Sequence, residues 1–75
     1  ACVNLVPQIR SIYRWQGAIS DDTETLAIIK TTAKRRKKLV KRLVELHPYE
    51  VPEVITLPVD DVHAPYLAWV ADSCS

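Results

Sequence analysis

Glycine occurs once in these 75 residues, as Gly17, so no glycine-rich loop can cradle a phosphate. Cysteine occurs twice, as Cys2 and Cys74, and neither belongs to a C-x-x-C pair. A disulfide-built scaffold is therefore excluded, and a reduced, cytoplasmic setting is expected. No apolar run reaches the length of a bilayer-spanning helix, and no membrane partner is expected. The net charge of +1 excludes a global bias toward acidic or basic partners. No nucleophile–base pair, zinc-finger spacing or helical histidine pair is present, so neither ordinary catalysis nor a closed metal site is expected. The first residue is Ala rather than Met, and a strand-like run begins at once. A processed start, or a segment of something longer, accounts for that.

What is present is unevenly distributed. All of the cations except Arg10, Arg14 and Lys30 fall between Lys34 and Arg42, with no acid among them. Cys2 to Val6 is a short apolar run ended by Pro7, which suits a bulge or bend in a strand. From Ile9 the pattern alternates, placing Ile9, Ser11, Tyr13 and Trp15 on one face. This predicts one long bent strand from Cys2 to Ile19, a turn at Ser20-Asp21-Asp22-Thr23, and a second strand from Glu24 to Thr31. In that second strand Leu26 to Ile29 is apolar on both faces, as in a central strand.

Thr32 is the expected N-cap of a helix from Ala33 to Leu46. Its apolar stripe is read as Val40, Leu43, Val44 and His47, flanked by Leu39 and Leu46. Pro48 and Pro52 then fix a rigid bend over His47 to Glu53, and Val54-Ile55-Thr56-Leu57 reads as a third strand closed by Pro58. After an Asp60–His63 loop, Ala64 caps and Pro65 opens a final helix carrying Tyr66 to Ala71. Strand, strand, helix, strand, helix gives an α+β sandwich with helices on one face of an antiparallel sheet. It equals a ferredoxin-like unit lacking its first strand and helix, with an extra terminal helix.

Each notable group has a plain structural reading beside a functional one. Cys2, His47, His63 and Cys74 are the borderline metal ligands, and Glu50, Glu53, Asp60 and Asp61 the hard ones. Cys2 otherwise reads as a small buried hydrophobe and His47 as a helix-terminal corner residue. The aromatics Tyr13, Trp15, Tyr49, Tyr66 and Trp69 read first as packing, with Trp69 capping the core, and Tyr13 and Trp15 second as the lining of a groove between subunits. Lys30 either snorkels to water or faces Glu53 or an anion. The Lys34–Arg42 run is either a solvated helix face or a site for an anionic ligand. No aromatic is interleaved with it, so nucleic acid is not supported as a partner.

Five blocks occur together: Ala1-Cys2-Val3-Asn4, Ser11-Ile12-Tyr13-Arg14-Trp15-Gln16-Gly17, Ile29-Lys30-Thr31-Thr32, His47-Pro48-Tyr49-Glu50-Val51-Pro52-Glu53 and Pro65-Tyr66-Leu67-Ala68-Trp69. Over nearly the whole chain, this pattern closely resembles the CutA divalent-cation tolerance family. The resemblance implies a single CutA-like domain over 1–75, ferredoxin-like, in a homotrimer similar to the PII signalling proteins. It implies a non-enzymatic role in tolerance of, or response to, copper and other divalent cations, weakly bound. By the same resemblance Cys2 would meet the metal and His47 would stand at the cleft between subunits, from which it is expected to join Cys2 as a ligand. Tyr13, Trp15, Lys30, Tyr49, Glu53, Tyr66 and Trp69 would form or support clefts between subunits. The alternative is a PII-like signalling or scaffold trimer binding an anionic metabolite and a partner protein.

Two departures accompany the likeness. The family's first strand and helix, about two dozen residues by ordinary element lengths, do not precede the first block. In the family's 4-1-3-2 order that strand is central, so the domain is expected to be N-terminally incomplete. The Lys34–Lys38 run is also more basic than the family's usual helix.

Overall fold

The computed structural model describes all residues, 1–75. Its first half is a long antiparallel β-hairpin. Strand β1, Cys2–Trp15, pairs with β2, Ala18–Lys30, from Cys2 opposite Lys30 to Trp15 opposite Ala18. Helix α1 spans Ala33–Leu46 and α2 spans Ala64–Ser73. The molecule measures 45 × 22 × 19 Å, and the hairpin's length accounts for the long axis. The α+β class holds.

The turn lies earlier than the Asp-rich stretch suggests. Gln16 (φ 49°) and Gly17 (φ 79°) both occupy the left-handed region, which makes the two-residue loop whose twist matches a hairpin. Ser20 to Thr23 is paired strand opposite Tyr13 to Arg10, so the expected turn there is corrected. Register decides the outcome: a tight turn at Gly17 aligns all of the alternating Ile9–Trp15 face, whereas a turn at 20–23 would leave its Ile9–Ser11 end without a partner in a strand ending at Thr31. The expected irregularity near Pro7 is present. The register shifts between Val6 and Ile9, and Gln8 takes φ 58°, so the residue following a proline that cannot donate to the ladder is bulged out.

Two strands make the whole sheet. The expected third strand, Val54 to Leu57, runs extended without a ladder partner, with Leu57 81% exposed. Its β-branched composition supplies propensity, but a strand exists only where backbone groups find a neighbour. For the same reason Leu26 to Ile29 is not in a central strand. Leu26 and Ile28 stand exposed in a two-stranded ribbon.

Helix α1 keeps the expected limits. Thr32 occupies the N-cap position in extended geometry, yet its side chain makes no cap bond. At the other end the His47 N–H still reaches the Leu43 carbonyl at 2.9 Å, and Pro48 forbids continuation. The inward stripe is Leu39, Val40, Leu43 and His47, all half-buried, while Val44 and Leu46 face outward. Helix α2 begins one residue earlier than expected. His63 is its N-cap and Pro65 lies in the first turn, where a missing N–H costs nothing. Val70 on α2, 6% exposed, is the one buried residue, and Trp69, expected as a core cap, is 48% exposed.

Candidate functional site

The inner face of the hairpin, the inward stripe of α1, the bend and α2 enclose an open groove of about 1600 Å³. The β1 alternation places Ile9, Ser11, Tyr13 and Trp15 on its floor. From β2 comes Lys30, from the end of α1 His47, from the bend Tyr49 and Glu53, and from α2 Tyr66. These residues, drawn from Ile9 near one end of the chain to Tyr66 near the other, share one concave surface because the prolines of the bend turn the chain back over the sheet. Trp69 does not line the groove. It stacks behind it on Tyr66, ring centres 5.7 Å apart. Cys2 is not among the lining residues either.

Cys2 is half-buried at the open end of the hairpin, opposite Lys30. It lies beside Tyr66, whose phenol is held above its ordinary pKa by burial first, then by the charge and hydrogen bond of Cys2. No three His, Cys, Asp or Glu side chains converge anywhere in the chain. The bend is organised internally. The Tyr49 N–H donates to His47 Nδ1 at 3.1 Å, and the two rings meet edge to face at 4.7 Å. A neutral His47 that accepts at Nδ1 carries its proton on Nε2. Coordination of a metal by His47 therefore requires either the loss of that bond or a shift of the proton. Cys2 and His47 are the residues that would hold a soft or borderline cation here.

At the far end of the hairpin, the charges pair across the strands. Arg10 grips Asp21 with two bonds of 2.9 and 2.6 Å, which hold the Asp21 carboxyl below its usual range and the Arg10 guanidinium above its own. The Tyr13 hydroxyl donates to Asp22, and that bond, with burial and nearby acids, raises its pKa.

Cys74 sits at the open end of the hairpin, its Sγ 3.4 Å from the Ala1 amine, beside a hollow of about 420 Å³. Burial works to raise its thiol pKa. Hydrogen bonds from Thr31, the Ala1 amine and the Thr32 backbone, together with the amine's charge, outweigh burial and leave the pKa below the ordinary value.

Arg36 lines the groove although the sequence reading places it in the basic run, and His63, read there as a candidate metal ligand, lines it from the N-cap of α2. Arg36 stands four, seven and eleven positions before Val40, Leu43 and His47, and that helical spacing alone places it inward.

The match to known proteins extends over this whole arrangement. The family model described as CutA1 divalent ion tolerance protein matches residues 1–73. A CutA homolog from Xenopus laevis is 50% identical over 72 residues, 96% of this chain and 48% of its own length. The solved divalent cation tolerance protein Cut A1 from Thermus thermophilus is 44% identical, with a TM-score of 0.92 over 99% of this chain and 72% of that one. The PII-like protein CutA from Nostoc sp. PCC 7120 is 37% identical, with a TM-score of 0.87 over 92% and 67%. The chain spans about half the length of vertebrate relatives such as the frog protein, at 48%, and a little under three quarters of the Thermus chain, at 72%. On sequence and fold together, this chain belongs to the CutA1 divalent ion tolerance family.

Proposed function

We propose that the protein serves divalent-cation tolerance without catalysing a reaction, binding copper or a related cation weakly as a homotrimer in the cytoplasm. The observation that carries this reading is the family match across residues 1–73. The half-buried Cys2 thiol is the softest donor near the groove and the main ligand for copper, with Tyr66 beside it. His47 joins through Nδ1 by giving up the Tyr49 N–H. The cleft residues Tyr13, Trp15, Lys30, Tyr49, Glu53 and Tyr66 shape the surface onto which the cation and a neighbouring subunit close, with Trp69 bracing Tyr66. Copper titration into wild type, Cys2→Ala and His47→Ala tests this. The largest loss of affinity is expected in Cys2→Ala, and superimposable wild-type and Cys2→Ala curves would remove Cys2 from the site.

A second reading draws on the solved relative titled a PII-like protein. Here the groove takes an anionic metabolite at Lys30, and the protein signals to a partner. Thermal-shift screening separates the two, because a specific ligand stabilises only the state that binds it. Stabilisation by copper favours the first reading, and stabilisation by nucleotides or organic anions favours the second.

A further inference from the structure

Lys34, Lys37, Lys38 and Lys41 on α1 follow the spacing i, i+3, i+4, i+7, which places all four on one face of the helix. That face lies opposite the stripe of Leu39, Val40, Leu43 and His47 that lines the groove, and all four lysines are exposed. None is in an ion pair. The only bridges in the molecule are Arg10–Asp21 and Arg42–Glu45. No acid occupies the first turn of α1, so the positive end of the helix dipole adds to the same field. The arrangement is self-repelling, and helical stability does not account for it.

We propose that this lysine face docks an acidic peptide segment of a partner protein. The face runs about 10 Å along the helix axis at about 1.5 Å per residue. Acidic side chains at alternate positions of an extended strand, about 6.6 Å apart, or at helical spacing on an acidic helix, match that row. Three features select a short acidic segment over other polyanions. First, the face carries no aromatic ring on which a base could stack. Second, the one apolar side chain that shares the face, Val44, three residues beyond Lys41, is too little to anchor it in a bilayer. Third, the two arginines near it, the groups best shaped for bidentate phosphate contact, are engaged. Arg35 Nε donates to the Cys74 carbonyl at 2.8 Å, and Arg42 pairs with Glu45 at 3.3 Å. Carboxylates on the opposite side, among them Asp22, Glu24 and Glu53 in the groove, would repel a polyanion long enough to wrap the molecule. This surface is independent of the metal reading and stands whether or not copper binds.

Fluorescence anisotropy with the full-length protein and a labelled peptide of alternating Glu and Ser tests the proposal, with Gln in place of Glu as control. Binding of the Glu peptide alone is expected, weakening steeply as salt rises. The quadruple Lys34→Gln/Lys37→Gln/Lys38→Gln/Lys41→Gln variant should bind about tenfold more weakly with an unchanged circular dichroism spectrum, while Arg14→Gln binds as wild type. Absence of binding at low salt, or equal affinity of the quadruple variant, overturns the proposal. So does tighter binding of charge-matched duplex DNA or phosphatidylserine vesicles than of the peptide.

Discussion

Gly17 holds its turn with a backbone conformation that side-chain-bearing residues adopt only at a cost. At φ 79° a Cβ would meet no neighbour within 4 Å, so replacement costs backbone strain alone. Gly17→Ala should lower stability by roughly 1 kcal/mol in the full-length protein, measured by chemical denaturation. Gly17 stands inside a motif recognisable in the sequence, yet composition points to a turn at Ser20–Thr23. Turn-forming residue types are abundant there, and only the cross-strand register can rank the two choices.

The Arg10–Asp21 pair carries a sign that a titration can read. Its hydrogen bond to Arg10 depresses the folded-state pKa of Asp21. The contribution to stability is therefore present above the ordinary carboxylate pKa and is lost as pH falls through the depressed value. Both side chains are largely exposed, so the effect on stability is small. Arg10→Gln should move the Asp21 titration, followed by carboxyl NMR, back up toward its ordinary range. An unmoved midpoint would mean that the pair does not form in solution.

At the scale of the elements, the helices are the most legible part and the third strand the least. The limits of α1 follow from local chemistry, with Thr32 before it and Pro48 after it, and need no tertiary partner. A strand does need one. Val54 to Leu57 has the composition of a strand and no ladder in this chain. Its amides should therefore exchange with solvent far faster than those of paired Val3 to Val6 and Leu26 to Lys30. Equal protection would show that the segment pairs after all. The same dependence on neighbours explains why the groove is only partly readable. The resemblance points to Tyr13, Lys30, His47 and Tyr66, but the inward turn of Arg36 is hidden in a run of charge.

For the molecule as a whole, the decisive quantity is how little is covered. Val70 alone is buried, while Val3, Leu5, Ile12, Ile19, Ile55 and Leu57 are among the large apolar side chains exposed. A single domain of this size with so small a core is not stable by itself, and apolar surface of this extent marks an interface. The 75-residue chain alone should bind a hydrophobic dye strongly and melt without a cooperative transition. Sharp melting of the isolated chain would contradict that reading of its surface.

Copper ligation by Cys2 in a trimer is tested by anomalous diffraction at the copper edge from crystals of the copper-soaked protein. Three subunits and an anomalous peak bonded to Cys2 Sγ in each are expected. A peak confined to other residues, or none on a well-ordered Cys2, would contradict it.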